Sequence, residues 1–368
     1  MDTMTNRYTH ISDGRKRLAL LSVMLLILLL FAGCGDSLSG ADIADLSLVD
    51  SLGRTVMIPA HPERVAALDP LAGQAMIMLG CGERMISTVG GVQRDLLLQA
   101  IYPPLAEIAV VKENGAVNAE SVLLLKVDLI FVKSDMYSNA ADREKLEQLN
   151  IPFVVIDYRT IAEQQEALSM IGLALGEQAR MDNYLRYYRD IVSSVSSITA
   201  QFAVEDRPVV YHAINEAVRT DIPGSFGADW TTLAGAFNVS VERGIFSAGS
   251  EYTTLEEIFR WDPDLIVCNE TGVDDYIRAS AQWTGMRAVR EGRVYQIPIG
   301  VSRMGHPNSI ETPLAMLWLA QLLYPEHFVE LDFEAELQDF YANHFDFVVD
   351  QDTINNIIAG RGIRPAAN

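Results

Sequence analysis

The sequence predicts an α/β protein of two lobes, each with a parallel sheet, joined by one long rigid helix. Three observations carry that expectation. Short apolar runs such as "RVAAL", "DLIFV" and "FVVID" alternate with helical patterns, as in parallel sheets covered on both faces. The stretch "AESVLLLKVDLIFVKS" at 119–134 returns as "LEEIFRWDPDLIVCNE" at 255–270, with Glu120 on Glu256, Leu123 on Phe259 and Asp128 on Asp264. An interval of 136 residues is too wide for a solenoid and suits two lobes on related plans. Between the copies, Met181, Tyr184, Leu185, Tyr188, Ile191, Val192, Val195 and Ile198 recur at helical period without Pro or Gly. Such a segment acts as a spine rather than as a flexible linker.

At 368 residues and 49% hydrophobic, the chain can bury a sizeable core and divides into two domains. Arg15-Lys16-Arg17 precede the apolar run "LALLSVMLLILLLFAG", which ends in small residues before Cys34. A basic start, a short apolar stretch and a small-residue cleavage site describe a secretory signal over residues 1–33. "FAGC" resembles a bacterial lipobox, so Cys34 is expected to carry the lipid; an uncleaved anchor is the competing reading, for which the run is slightly short. Residues 34–48 read as a small, polar tether.

The remaining elements follow in order. "TVMIP" and "RVAAL" are strands around the turn "HPE", and "AGQAMIMLGCGERMISTVGG" is a helix followed by a strand. "DREKLEQLNIPFVVIDYRT" is another helix–turn–strand, closing a first lobe over 49–165. A connecting helix is expected over 166–203, and a second lobe over 204–368 opens with "RPVVYHA" and adds "DLIVCN" and "RVYQIP" before a helical end.

The formal net charge is −21, and residues 1–33 hold four bases against two acids, so the remainder is more acidic still. That argues against nucleic acid as a partner. Beyond the lipid anchor, Cys81 follows a helix and Cys268 ends a buried strand, positions of packed thiols. No Gly-x-Ser-x-Gly, Walker A, His-Glu-x-x-His or Gly-x-Gly-x-x-Gly motif occurs, and no catalytic residue is expected. No His-rich loop stands ready to gather ligands for a bare metal ion.

Four stretches together resemble one family: the "FAGC" at Cys34, "DSLGRTVMIPAHPERVAAL", the paired 119–134 and 255–270 copies, and "WTGMRAVREGRVYQIP" followed by "TPLAMLWLAQLLYPEHF". They are similar to the substrate-binding lipoproteins of bacterial ABC importers for iron–siderophore complexes, haem and cobalamin, over residues 49–345. The resemblance implies two Rossmann-like lobes with a ligand cleft between them and a long-helix hinge that limits closure. It implies an extracytoplasmic, membrane-anchored monomer that hands a ferric siderophore, haem or corrinoid to an ABC permease dimer with its ATPase subunits. It also implies one docking glutamate per lobe, at Glu120 and Glu256 here. No resident cofactor is expected. A chelate-processing enzyme on the same fold and a bare-metal-ion carrier are the alternatives.

Open α/β sheets place ligands beyond the carboxyl ends of their strands. Those positions are Asp69-Pro70, Gly90-Gly91, Lys133 to Tyr137 and Tyr158-Arg159 in the first lobe, and Asn215 to Arg219, Asn269-Glu270 and Arg303 to His306 in the second. Among them Met136, Tyr137 and Met304 offer soft or flat surface, and Arg219 and Arg303 offer forked donors for carboxylate or catecholate oxygen. Trp230, after a Gly-rich turn, offers a stacking face, and His306 a possible axial ligand to a chelated metal.

Overall fold

The computed structural model describes residues 45–113, 116–244 and 250–362. Its strands are β1 (Leu46–Val49), β2 (Thr55–Ile58), β3 (Val65–Ala67), β4 (Met85–Thr88), β5 (Ala109–Val110), β6 (Lys112–Glu113), β7 (Ala116–Val117), β8 (Leu129–Lys133), β9 (Phe153–Ile156), β10 (Val209–Ala213), β11 (Phe237–Asn238), β12 (Leu265–Cys268) and β13 (Val294–Gln296). The first lobe holds a parallel sheet in the order β5-β4-β3-β8-β9, and the second a parallel sheet in the order β11-β10-β12-β13. The β1–β2 and β6–β7 pairs are antiparallel ribbons.

The repeat has a structural reason. Asp128 stands just before β8, and its carboxylate accepts from the backbone N–H groups of Glu63 and Arg64, which lead into β3. Asp264 stands just before β12 and accepts from the N–H of Val209 at the start of β10, at 2.7 Å. Each aspartate therefore sets the register of two neighbouring parallel strands, once per lobe. The helices before them, Ala119–Leu124 and Leu255–Trp261, begin behind Asn118 and Thr254, whose side chains accept from Ser121 and Glu257 N–H.

The spine is the 22-residue helix Gln178–Thr199, shorter than the 166–203 expected from the sequence. A separate helix, Ile161–Ala174, precedes it. Gly176 (φ +70°) ends that helix, with Glu177 N–H returning to the Gly172 carbonyl at 2.8 Å. The turn there reverses the chain so that the two helices pack side by side. The fold also begins earlier than the tether boundary at 48, because Leu46–Val49 pairs with Thr55–Ile58.

Six of the eight stripe residues on the spine are buried, and they join Val65, Ala67, Val210, Leu265, Val267 and the helix Thr312–Leu323 in one continuous apolar core. The outer faces of the two sheets carry separate clusters, Ile130, Val132 and Val155 in the first lobe and Tyr211, Ile266 and Cys268 in the second. Both lobes thus share a core through the spine, and separating them would expose it to water. Cys81, in the shared core, and Cys268, in the second lobe's outer cluster, are free and buried, and burial pushes both thiols up. Cys34 lies outside the described residues.

Candidate functional site

The strand ends of the two lobes converge. From the first lobe come Asp69 after β3, Lys133 at the end of β8, and Asp157-Tyr158 after β9. From the second come Asn215 after β10, Glu270 after β12, and the loop 299–306 after β13. Direct contacts cross between them. The Tyr158 hydroxyl donates to the Pro307 carbonyl, its ring meets Phe226 edge-on at 5.7 Å, and Ile161 N–H donates to Asp229 at 2.7 Å.

The loop carrying Arg303 and His306 is held from every side. Glu311, fully buried, accepts from the N–H groups of Val301 (3.1 Å) and Ser302 (3.0 Å) and from the Tyr341 hydroxyl. Gly300 faces that carboxylate so closely that a Cβ would fall 1.9 Å from it. Gly305 (φ +75°) rests on the indole of Trp230. The next four residues are bound by the first lobe and by the spine. Gln74 donates to the Asn308 carbonyl (3.0 Å) and accepts from Ile310 N–H (3.1 Å). Gln164 donates to Pro307 (3.0 Å) and Ser309 (3.3 Å) carbonyls while accepting from Tyr188, and Tyr184 donates to Ile310 at 2.6 Å. Buried amides that satisfy both ends in this way fix a segment more firmly than apolar packing alone.

The electrostatics follow from burial. His306 is held down to about 3 by burial, then by the charges of Arg303 and Lys133, so its ring is neutral at neutral pH. Asn308 N–H donates to its Nδ1 at 3.2 Å, which leaves the ring proton on Nε2. His306 therefore presents an N–H donor rather than a lone pair. Burial raises Asp69 to about 6 although Ala72 N–H donates to one of its oxygens; the other has no partner. Arg303 donates through Nη1 to Asn215 (2.8 Å) and to Glu270. Ser134 donates to Asp157 at 2.6 Å, and Lys133 lies 3.9 Å from Asp135. The charged groups here are paired with one another, Arg303 with Glu270 and Lys133 with Asp135, and the Nε2–H of His306 is a further donor. Among the described residues no three His, Cys, Asp or Glu side chains are grouped to hold a metal ion.

Of the sequence-predicted residues, Arg303 and His306 come together here. The others do not. Trp230 is fully buried, wedged between Gly305 and the His212 ring (5.5 Å, near-perpendicular), on a helix whose residues Phe226, Gly227, Ala228 and Thr231 are buried with it. Met304 and Met136 are buried among apolar neighbours and offer no surface. Tyr137 packs on Phe153 (5.8 Å) beneath the Arg54 guanidinium, on the ribbon side of the first sheet. Arg219 is taken by Glu251, which bridges the loop after β10 to residue 251. Glu120 and Glu256 are exposed in the first turns of their helices. Residues missed at the sequence level are Lys133, Glu270 and Asn215 as individual partners, and Glu311, Gln74 and Gln164 as supports. Gln164 had a signal: a polar side chain on the apolar stripe of its helix.

Behind the loop lies a second buried network. Asp221 accepts from His212 Nδ1 (2.8 Å) and Asn238 (2.8 Å), and Thr220, Ser240 and Thr231 complete it. It ties β10 to β11 and supports Trp230 from below.

Comparison with known proteins agrees with this architecture. Residues 65–299 match the family model described as periplasmic binding protein. The chain is 25% identical over 341 residues to the molybdate-binding protein MolA of Haemophilus influenzae, covering 86% of this chain and 95% of that one. The structure of MolA bound to molybdate superposes with a TM-score of 0.74 at 22% identity, over 83% of this chain and 99% of that one. An uncharacterized ABC transporter substrate-binding lipoprotein of Bacillus subtilis, YvrC, is 24% identical over 331 residues, covering 86% of this chain and all of that one. The structure of Helicobacter pylori CeuE with Ni(II) bound has the same fold, with a TM-score of 0.70 at 18% identity over 85% of this chain and all of that one. With two parallel-sheet lobes, a shared spine and strand ends that meet between them, the chain belongs to the periplasmic binding protein family, as the extracytoplasmic substrate-binding protein of an ABC importer.

Proposed function

We propose that the cleft captures a small, oxygen-rich anion of the molybdate type for delivery to the permease. The observation that carries this reading is the donor set of Arg303, Lys133 and the Nε2–H of neutral His306, drawn from both lobes. A tetrahedral oxyanion presents acceptors only, and charge-assisted bonds to it are the strong ones. The molybdate-binding relative supports the same class.

A ferric siderophore, haem or corrinoid is the second reading, favoured by Arg303, whose fork suits carboxylate or catecholate oxygen. Such ligands also need apolar walls, which Trp230, Met304 and Met136 do not offer from their buried positions. His306 as an axial ligand would have to give up the bond from Asn308 N–H.

The discriminating experiment is calorimetric titration of the purified protein with molybdate, tungstate and sulfate, alongside ferric chelates, haem and cobalamin. Saturable binding of an oxyanion, measurably weakened in Arg303→Ala, is the expected result. Binding only of a chelate, with a Soret, corrin or ferric charge-transfer band, would sink the oxyanion reading. Delivery is proposed to use Cys34 as the lipid anchor and Glu120 and Glu256 as docking acids. Both glutamates occupy the same place in the two lobes, which suits a permease of paired halves.

A further inference from the structure

Arg303 connects two parts of the cleft that are held in different ways. Its own loop is fixed by Glu311 through the Val301 and Ser302 N–H groups. The residues just after it are fixed by Gln74, Gln164, Tyr158 and Tyr184, which belong to the first lobe and the spine. Its guanidinium reaches instead to Asn215 and Glu270, on the loops after β10 and β12. Those loops follow the second sheet and make no such bonds to the first lobe among the described residues. The Arg303 and Glu270 side chains remain 24% and 44% exposed, so solvent and ligand can reach the pair. A single guanidinium nitrogen, Nη1, serves both partners.

We infer that Glu270 is a resident counter-ion: its carboxylate occupies Arg303 in the empty protein and is displaced by the anionic oxygen of the ligand. This rests on the oxyanion reading of the cleft. The exchange is one acceptor for another on the same donor, with no bond made or broken covalently. Its consequence is selectivity by charge. An incoming group must outcompete a carboxylate already in hydrogen-bonding contact, which a doubly charged oxyanion does and a neutral ligand does not. Glu270 also accepts from its neighbour Thr271 N–H at 3.1 Å through the other oxygen, so it keeps a partner when it releases Arg303.

The test is a double-mutant cycle on molybdate affinity with Glu270→Gln, Arg303→Ala and the pair, each checked for an unchanged melting curve. An ion pair of this kind competes with a charge-assisted bond, so Glu270→Gln should bind molybdate about tenfold more tightly or better. In the Arg303→Ala background the same change should gain almost nothing, because there is no guanidinium left to release. Equal or weaker binding by Glu270→Gln overturns the counter-ion role. A gain of equal size in both backgrounds also overturns it, since that is general relief of charge rather than competition. If wild type binds none of molybdate, tungstate or sulfate, the oxyanion reading fails and the counter-ion role with it.

Discussion

Gly305 is the sharpest point at which the loop bearing Arg303 and His306 meets the core. In Gly305→Ala two costs are separable. The backbone stands at φ +75°, where an L side chain costs about 1–2 kcal/mol. The added Cβ would lie 2.7 Å from Cε2 and Cζ2 of Trp230, far inside ordinary contact. Trp230 cannot retreat, because it is fully buried against His212, itself bonded to Asp221. Overpacking of this kind costs about 1–3 kcal/mol, for a total of about 2–5 kcal/mol. Gly224 supplies the control: its φ is +78° and nothing lies within 4 Å of a Cβ there, so Gly224→Ala should lose only the backbone part. Urea unfolding followed by tryptophan fluorescence gives both values, and their difference isolates the packing cost. Because the strain can also be relieved by lifting the loop, Gly305→Ala should weaken ligand binding at least about tenfold, a loss of ~1.4 kcal/mol, while Gly224→Ala should not. If the two variants unfold alike and Gly305→Ala binds as wild type does, the contact between loop and indole has no energetic role.

Burial raises Glu311 from 4.5 to about 8, so the stability it contributes is whole below about pH 4.5 and is lost as pH rises through about 8. Urea midpoints taken from pH 6 to 9 should therefore fall less steeply in Glu311→Gln than in wild type; equal slopes would refute the assignment. Burial lowers His306 and His344 from 6.5 to about 3 and about 4, so the stability they contribute is whole above about pH 6.5 and lost as pH falls towards those values. Asp221→Ala would leave the buried donors of His212 and Asn238 without acceptors and should cost about 3–5 kcal/mol in unfolding free energy, against a smaller loss for Asp221→Asn. Cys34→Ser should leave an unprocessed precursor without a diacylglyceryl mass; mature lipidated protein on mass spectrometry would rule Cys34 out. Glu120→Arg with Glu256→Arg should abolish ligand-stimulated transport at unchanged ligand affinity and melting temperature, and normal transport would reduce the repeat to a trace of the fold.

The sequence by itself determined the features that depend on neighbours along the chain. The alternation of strands and helices, the spine stripe from Met181 to Ile198, and the paired aspartates Asp128 and Asp264 are local patterns, and each reappears as an element or a register lock. The positions just after the strands were legible for the same reason, and Arg303 and His306 lie among them. What only the tertiary structure decided was which side of the backbone each candidate faces and what it meets there. Trp230 read as an aromatic after a Gly-rich turn, free to stack on a ligand, yet it lies buried under Gly305. Glu270 and Glu251 read alike as acids in loops; one meets Arg303, 33 residues on, and the other Arg219, 32 residues back. Gln74 grips residues 308 and 310, more than 230 positions away, through hydrogen bonds that leave no periodicity behind. Periodicity records burial of an element's face, whereas a polar contact between distant loops depends on the fold already being formed.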